Sequence, residues 1–353
     1  MPKLLMKGNE AIAEAAIQAG CKCYFGYPIT PQSELPEYMA KHMPKRGGVF
    51  LQAESEVSAI NMVYGAAGAG VRVMTSSSSP GISLKQEGLS YIAGAQLPCV
   101  VVNMVRGGPG LGGIQPAQSD YFQAVKGGGH GDYKLITLAP ASVQEAVDLT
   151  RLAFELADKY RNPVMILGDG MLGQMMEPVE FHDQESAAPD KPWRVRGYNG
   201  EGERRIINSL YLEPDALEEL NHELWRKYER CEKEEVRYEA EGLEDAELVL
   251  VAYGIPARIA QSVIALAAEQ GVKLGLIRPI TLWPFPSDAI REAAKRENVK
   301  KFVAFELSMG QMVEDVRLAV EGRKPVDFVG RVGGVVPGPQ DLLDEILALR
   351  GKA

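Results

Sequence analysis

The sequence predicts an α/β protein in which a doubly wound parallel sheet is followed by a second, smaller α/β domain. Short apolar runs alternate with segments of helical character through residues 9–168, and the same alternation resumes after residue 242. Parallel strands that are buried on both faces form near-continuous apolar runs, and the crossover between them is usually a helix. We therefore expect domains at residues 1–195 and 244–353, joined by an extension and charged helical connector at 196–243.

The first domain is predicted to contain six strands and to begin with a helix. The helix is expected over Glu10–Ala19, with Asn9 as its cap and Gly20 as its stop. Ligands of such sheets bind at the carboxyl ends of the strands, so functional side chains are expected just after each apolar run. The predicted strands are Cys23–Tyr27, Val49–Ala53, Val71–Thr75, Cys99–Met104, Lys134–Leu138 and Val164–Gly168.

The pattern breaks over Met171–Gly200, an aperiodic stretch with prolines that we interpret as an extension leaving the first domain. Asp215 to about Glu241 is predicted to be a solvated helix, because Glu223 precedes Lys227 by four residues. The second domain is predicted to have the strands Leu248–Tyr253, Lys273–Ile277, Lys301–Phe305 and Val326–Val329, and the helices Ala257–Gln270, Ser287–Arg296, Gln311–Glu321 and Asp341–Leu349.

The composition excludes several classes of protein. With 46% hydrophobic and 24% charged residues, the chain is an ordinary globular protein rather than a disordered or collagen-like one. Its net charge of −9 and lack of a basic run argue against binding to nucleic acid or an anionic membrane. The four cysteines form no C-x-x-C pair, and residues 1–8 do not resemble a secretion signal. We therefore expect reduced thiols, a cytoplasmic location and no metal site on this chain.

A glycine-rich loop gives a literal match to the dinucleotide-binding pattern G-x-G-x-x-G. The match covers Gly108–Gly113, with Asp132 near the position of a ribose-binding acid. That motif needs a helix that begins at its glycines, but Ile114–Gln118 includes a proline and has no apolar period. We interpret the match as coincidental, which argues against a nicotinamide-dependent dehydrogenase.

Two further segments each look like the start of a helix after a strand. In the run that ends Thr30-Pro31, threonine is a suitable cap and proline a suitable first helical residue. In Glu54-Ser55-Glu56, the acids would be favoured by the helix dipole in any case. Taken alone, neither segment indicates a function.

Four motifs in order nevertheless give the chain a specific resemblance. They are Gly26–Pro31, Glu56–Ile60 leading to Tyr64–Ala66, Thr75–Gly81 and Arg106–Pro109. The chain resembles the alpha chain of the 2-oxoacid:ferredoxin oxidoreductases, most closely the branched-chain type that oxidises 2-oxoisovalerate. Leu248–Leu349 resembles the second domain of that family, including Gly254–Ala257 and Glu306–Gln311. The resemblance implies a pyrimidine-type thiamine diphosphate domain followed by a domain like the carboxyl-terminal domain of transketolase.

The resemblance also assigns roles to individual residues. Glu56 matches the glutamate that shares a proton with the aminopyrimidine ring of thiamine diphosphate, favouring the imino tautomer that generates the ylid. Tyr27 and Pro28 match positions that line the cofactor. Arg106 matches the arginine that binds the substrate carboxylate, and Thr30 the threonine whose hydroxyl reaches the substrate or its developing oxyanion. Glu54 is expected to be a solvated or structural neighbour.

The family resemblance further implies partner chains. A beta subunit would supply Mg²⁺ and the diphosphate half of the site, an iron–sulfur subunit would carry the clusters, and a gamma subunit is often present. The Gly168-Asp169-Gly170 run opens a Mg²⁺–diphosphate motif, but Asn199, the nearest asparagine to complete it, lies beyond three prolines. We interpret this run as the turn that ends a strand. Coenzyme A would accept the acyl group, and ferredoxin the electrons.

Several alternatives remain open at this point. The substrate could be 2-oxoglutarate or pyruvate, because two chains or more shape the pocket. A non-catalytic assembly subunit would keep the fold without the chemistry, although the joint presence of Glu56, Arg106 and Thr30 argues against it. His130, in the loop Gly127–Gly131, is expected to lie close to the site.

Overall fold

Two large sheets organise the chain in the computed structural model, which describes residues 3–181, 188–198, 200, 202 and 204–350. The elements up to residue 179 are β1 (Leu4–Lys7), α1 (Gly8–Gln18), β2 (Cys23–Gly26), α2 (Glu34–His42), β3 (Val49–Gln52), α3 (Glu56–Gly68), β4 (Val73–Ser77), α4 (Ser79–Gly94), β5 (Cys99–Val105), α5 (Tyr121–Val125), β6 (Ile136–Leu138), α6 (Val143–Tyr160), β7 (Pro163–Asp169), α7 (Gly170–Gln174) and β8 (Met176–Val179). From residue 214 they are α8 (Pro214–Glu234), β9 (Tyr238–Glu241), β10 (Leu248–Val251), α9 (Gly254–Glu269), β11 (Leu274–Pro279), β12 (Thr281–Trp283), α10 (Ser287–Ala294), β13 (Lys301–Glu306), α11 (Met312–Val320), β14 (Val326–Gly330) and α12 (Pro339–Arg350).

The first sheet has the strand order β12-β6-β7-β5-β4-β2-β3. All six predicted strands are present and pair in parallel, which confirms the doubly wound fold. Every residue of the central strand β5 is buried, as expected for a strand with helices on both faces. Each fully buried valine of such a strand contributes roughly 1.5–3 kcal/mol to folding.

The strand order reverses between β2 and β4, which creates the crevice where ligands of such sheets bind. From β2 the chain passes outward to β3 and then returns to the other side of β2 to form β4. The crossover connections on the two sides diverge at this point, leaving room above the carboxyl ends of the strands. The segments that follow β2, β3 and β4 are those that carry three of the four motifs.

The second sheet has the order β14-β13-β10-β11-β9, with four parallel strands and β9 antiparallel at the edge. The four strands and four helices predicted for this region are all present, which confirms the second α/β unit. Strand β12 was not predicted. It lies at the edge of the first sheet, antiparallel to β6, with Thr281 opposite Leu138.

Two predicted helix starts are wrong. Helix α1 begins at Gly8, so Asn9 lies inside it, and its side-chain amide donates instead to the Pro31 carbonyl at 2.9 Å. Helix α2 begins at Glu34 rather than at Pro31. The Pro31 carbonyl accepts from Asn9 and the Thr30 carbonyl from Arg106 (2.9 Å), so side chains satisfy these carbonyls where a helix would use backbone amides.

The charged helix α8 is more than a solvated connector. Leu220, Leu224 and Cys231 on one of its faces are buried, together with Tyr228, whose ring packs edge-on against Trp283. The predicted pair of Glu223 with Lys227 does not form an ion pair among the described residues, because Lys227 Nζ donates to the Arg161 carbonyl at 3.3 Å. Partial burial of an amphipathic face explains this departure from the charge pattern.

The described residues of the stretch 171–200 return to the first domain rather than leaving it. Strand β8 pairs antiparallel with β1. Further on, the Lys191 ammonium lies 2.6 Å from Asp158 Oδ1, and the Val195 amide donates to the Gly68 carbonyl at 2.9 Å. In the described ranges, no helix is long and apolar enough to cross a bilayer.

Candidate functional site

Glu56 is the first residue of α3 and lies at the crevice between β2 and β4. Helix α3 is capped by Ser55, whose hydroxyl accepts from the Ser58 amide at 3.1 Å. Glu56 is only 6% exposed, whereas Glu54 is exposed and accepts from the Ser58 hydroxyl at 2.9 Å. That bond, with a bond from its own backbone amide, lowers the pKa of Glu54. The two acids therefore differ in burial, with Glu56 enclosed at the start of α3 and Glu54 exposed to solvent.

The first turn of α4 presses directly against the Glu56 carboxylate. A β-carbon added to Gly81 would lie 2.6 Å from Glu56 Oε1 and 2.1 Å from Ser77 Oγ. No side chain fits in that space, so the glycine of the Ser-Pro-Gly motif is required by close approach. The result is a narrow cradle, with the backbone of α4 at its base and the Glu56 carboxylate and Ser77 hydroxyl at its sides.

We predict that Gly81→Ala will weaken thiamine diphosphate binding to the assembled complex. The added methyl group must displace either the carboxylate of Glu56 or the amino terminus of α4, and such overpacking costs about 1–3 kcal/mol. This corresponds to roughly a tenfold to hundredfold rise in Kd, measured by titration calorimetry. Gly65→Ala is the matched control, since its added β-carbon would have no described atom within 4 Å other than its chain neighbours and the nearby backbone of its own helix. Equal affinities of the two variants would contradict this account of the cradle.

Arg106 and Thr30 are brought together by the fold. The Arg106 guanidinium is 7% exposed and donates to the carbonyls of Thr30 (2.9 Å) and Leu111 (3.0 Å). The Thr30 side chain is exposed at the crevice, as are Tyr27 and Pro28 after β2. The residues predicted to bind cofactor and substrate therefore follow neighbouring strands at one edge of the sheet.

Several buried polar atoms at this edge have no hydrogen-bond partner among the described residues. They are Ser77 Oγ, Ser78 Oγ and Arg106 Nε. A buried polar group without a partner is costly, so such atoms mark places where a bound molecule or another chain supplies one. Two of the five guanidinium N–H groups are used by carbonyls, which leaves donors for an anion. The residues present therefore fit an aminopyrimidine ring beside Glu56 and a carboxylate beside Arg106.

A polar network behind the site was missed from the sequence. Asn103 Nδ2 donates to Asp120 Oδ2 at 2.9 Å, and Asn103 Oδ1 accepts from the Ser79 amide at 3.1 Å. Burial raises the pKa of Asp120, and its bonds with Asn103 and Ser79 act in the opposite direction. The network holds the amino terminus of α4 against β5. The sequence feature that could have revealed this network is Asn103, a single asparagine inside the apolar strand β5.

The C-terminal region also reaches the site. A β-carbon on Gly334 would collide with the Gln115 side chain, and one on Gly107 would lie 3.7 Å from the Gly333 carbonyl carbon. The Gln118 side chain donates to the Tyr253 carbonyl (3.0 Å) and accepts from the Leu307 amide (3.0 Å). These bonds anchor the loop that follows Arg106 to the second sheet.

The structure confirms the interpretations of the two glycine-containing motifs, Gly108–Gly113 and Gly168-Asp169-Gly170. No helix begins between Gly108 and Asp120, and the loop folds on itself through a bond from the Gly113 amide to the Gly107 carbonyl (2.9 Å). Asp169 ends β7 and caps α7, accepting from the amides of Met171 (2.8 Å) and Leu172 (3.0 Å). Burial raises the pKa of Asp169 to about 6, while the two amides lower it. Asn199 lies outside the described residues.

The expectation that His130 lies close to the site is wrong for this chain. Its carbonyl accepts from the Ser90 hydroxyl, and its ring packs edge-on against Tyr91. Ser90 is eleven residues after Ser79, so His130 lies about 16 Å along α4 from the catalytic edge. His42 stacks on Tyr38, and His182 lies outside the described residues.

Two protein families and several known proteins match this chain over most of its length. Residues 14–240 match the family described as pyruvate flavodoxin/ferredoxin oxidoreductase, thiamine diphosphate-binding, and residues 246–342 match pyruvate:ferredoxin oxidoreductase core domain II. The chain is 53% identical to ketoisovalerate oxidoreductase subunit VorB of Methanothermobacter thermautotrophicus over 99% of both chains. It is 37% identical to 2-oxoglutarate synthase subunit KorA of the same organism over 98% of both chains.

Solved structures agree with these matches. A 2-oxoglutarate:ferredoxin oxidoreductase from Magnetococcus marinus superposes with a TM-score of 0.83 at 27% identity, covering 98% of this chain. This chain spans 65% of the length of that protein. A split-gene transketolase superposes with a TM-score of 0.61 at 16% identity over 97% of both chains, which shows a shared fold. The chain therefore belongs to the 2-oxoacid:ferredoxin oxidoreductases, as a subunit with the thiamine diphosphate-binding domain of that family.

Proposed function

We propose that this chain supplies the pyrimidine half of the active site in a coenzyme A-dependent oxidoreductase acting on 2-oxoisovalerate. The reaction converts the 2-oxoacid and coenzyme A into acyl-CoA and CO₂, and passes two electrons to ferredoxin. The observation that supports the proposal is that the first turn of α4 joins the candidate site residues: Ser79 bonds to Arg106, which holds Thr30, and Gly81 lies against the Glu56 carboxylate. The 53% identity to a ketoisovalerate oxidoreductase subunit favours the branched substrate over 2-oxoglutarate or pyruvate.

Glu56 is proposed to hold a proton between its carboxylate and N1′ of the pyrimidine ring. When bound, thiamine diphosphate supplies the carbanion that attacks the keto carbon of the substrate. Because Glu56 is nearly buried against Gly81, water competes poorly for its carboxylate. Hydrogen bonds to a charged carboxylate are the stronger kind, and they gain further in a dry site.

Arg106 and Thr30 are proposed to bind the substrate. The two carbonyl bonds of Arg106 fix its guanidinium plane, so its remaining donors meet a carboxylate without first losing side-chain freedom. The Thr30 backbone is fixed by the same bond, and its exposed hydroxyl is free to reach the keto oxygen. Tyr27 and Pro28, exposed after β2, are proposed to contact the cofactor.

Partner chains are proposed to complete the site. The relatives are named as subunits, and Asp169, the acid of the Gly-Asp-Gly run, is used to cap α7 rather than held open for a metal. We propose that a beta subunit holds the diphosphate and Mg²⁺, that an iron–sulfur subunit carries the clusters, and that a gamma subunit is present. The four free thiols, which form no disulfide, are in keeping with a cytoplasmic location.

The test is to purify the tagged chain from its own cells without oxygen and to measure viologen reduction. Thiamine diphosphate, coenzyme A and one of three 2-oxoacids are supplied, and each is omitted in turn. We expect the highest kcat/KM with 2-oxoisovalerate, and none without coenzyme A. A higher kcat/KM with 2-oxoglutarate or pyruvate would overturn the substrate assignment, and no activity with any of them would favour an assembly subunit.

A further inference from the structure

Lys85 is a fully buried lysine in the second turn of α4. Its ammonium donates to Thr75 Oγ1 at 3.0 Å, and no carboxylate in the described part of the chain lies within 4.0 Å of it. Lysines are almost never fully buried unless paired, because a charge removed from water is costly. One neutral hydroxyl does not offset that cost, so a further compensating charge is required.

The charge that faces Lys85 is that of Glu56. Lys85 follows Gly81 by one helical turn and so lies on the same face of α4, and Gly81 presses against Glu56 Oε1. Burial lowers the pKa of Lys85 to about 8, and the negative charge of Glu56 acts in the opposite direction. At neutral pH the ammonium is therefore mostly protonated behind the carboxylate.

Besides Lys85, the described elements around Glu56 bring hydroxyl groups and a second cation, Arg106. Strand β4 contributes the hydroxyls of Thr75 and Ser77. Strand β2 contributes Tyr24, whose pKa is raised by burial and whose hydroxyl lies 2.6 Å from Ser76 Oγ. Glu54 is exposed, and Arg106 directs its guanidinium to two carbonyls.

We propose that Lys85 is a positioning residue whose buried ammonium keeps the Glu56 carboxylate ionised, so that the shared proton lies on the pyrimidine N1′ once the cofactor binds. A nearby positive charge favours the ionised form of a carboxylate. Cofactor binding then takes up one proton from solvent, and no other bond is made or broken. The proposal rests on the proposed role of Glu56.

The test is the proton uptake that accompanies binding of thiamine diphosphate and Mg²⁺ to the cofactor-free complex. Calorimetry in buffers of different ionisation enthalpy, repeated over a pH series, counts the protons without any turnover. In the unmodified complex we expect uptake to fall as pH is lowered, because a carboxylate that already holds a proton takes up none on binding. In Lys85→Met the pH of half-maximal uptake should rise by about one unit, and the acid limb of the activity profile should move with it.

Three variants separate charge from packing. Lys85→Gln is neutral but can still donate to Thr75, so it should shift the profile as Lys85→Met does. Lys85→Arg keeps the charge and should keep the unmodified profile. Lys191→Met removes another buried lysine, the partner of Asp158, and should leave the profile unchanged. Removing one charge of a buried pair leaves the other uncompensated, so both neutral variants should lower the Tm of the complex, and Lys191→Met shows whether such a loss alone moves the profile.

The outcomes distinguish this proposal from the one on which it rests. Unchanged uptake in both neutral variants, or an equal shift in Lys85→Arg, would overturn the role of Lys85. If both neutral variants of Lys85 fail to assemble while Lys191→Met assembles, Lys85 is needed for the structure of the complex. That result would also overturn the proposed role of Lys85. Full proton uptake in Glu56→Gln would instead overturn the proposed role of Glu56.

Discussion

Replacing Glu56 with glutamine should abolish turnover while the complex still assembles. The amide keeps the size of the side chain and can still hydrogen-bond to the pyrimidine ring, but it cannot share a proton with N1′. Losing a positioned proton-transfer group costs roughly 10²–10⁴ in rate. Because the site is buried, solvent cannot replace the missing group. The measurement is kcat for viologen reduction, together with subunit content after gel filtration.

Glu54→Gln is the matched control for this variant. Glu54 lies two residues before Glu56 on the same turn, but it is exposed and bonded to Ser58 rather than to the site. We expect its kcat to match that of the unmodified complex within about twofold, since surface substitutions away from special features have small effects. A Glu56→Gln complex with normal kcat would remove Glu56 from the chemistry.

Arg106→Lys should raise KM for the 2-oxoacid while leaving the affinity for thiamine diphosphate nearly unchanged. Lysine keeps the positive charge but has no planar fork, so it cannot hold the carbonyls of Thr30 and Leu111 and also bind a carboxylate through two parallel bonds. A charge-assisted hydrogen bond is worth about 1.5–3 kcal/mol, which corresponds to roughly a tenfold to hundredfold rise in KM.

A buried arginine outside the site provides the comparison for Arg106→Lys. Arg72 donates to the Ala19 carbonyl and to Asp158, so Arg72→Lys tests the general cost of losing a buried guanidinium. We expect Arg72→Lys to lower the Tm and leave KM unchanged. If instead Arg106→Lys lowers the Tm and has an unchanged KM, Arg106 is structural and the substrate carboxylate binds elsewhere.

The fold could be predicted wherever a strand is buried on both faces. Strands such as β5 and β7 are continuous apolar runs, and their positions follow from composition alone. Strand β12 has only three residues, and its place depends on pairing with β6 more than 140 residues earlier. The start of α2 likewise depends on Asn9 in α1 and on Arg106 after β5, which donate to the carbonyls of Pro31 and Thr30. The local sequence of a segment does not reveal which distant residues will bond to it.

The candidate site residues were predicted from the four family motifs taken together, because a helix cap or a first-turn acid alone indicates no function. Glu56, Thr30 and Arg106 belong to those motifs, and the fold brings their segments to one edge. Lys85 was not predicted, because a lysine at that position of a helix normally lies in solvent. Its importance appears only when α4 packs against α3 and β4, which buries the ammonium.

In the proposed function, this chain carries the proton-transfer half of the active site and a partner chain carries the metal half. The reversal between β2 and β4 opens one crevice, and the motifs that fill it provide a carboxylate, hydroxyls and a guanidinium. The atoms of Ser77, Ser78 and Arg106 that have no hydrogen-bond partner among the described residues lie at the same edge, where we propose that a cofactor held by a second chain would meet them.

The most direct test of this account is a structure of the assembled complex with thiamine diphosphate and a slowly reacting 2-oxoacid analogue. We predict that a carboxylate oxygen of Glu56 lies about 2.6–3.2 Å from pyrimidine N1′. We also predict that the carboxylate of the analogue meets Arg106. A pyrimidine ring bound away from Glu56, or an analogue carboxylate held by a different cation, would contradict the account.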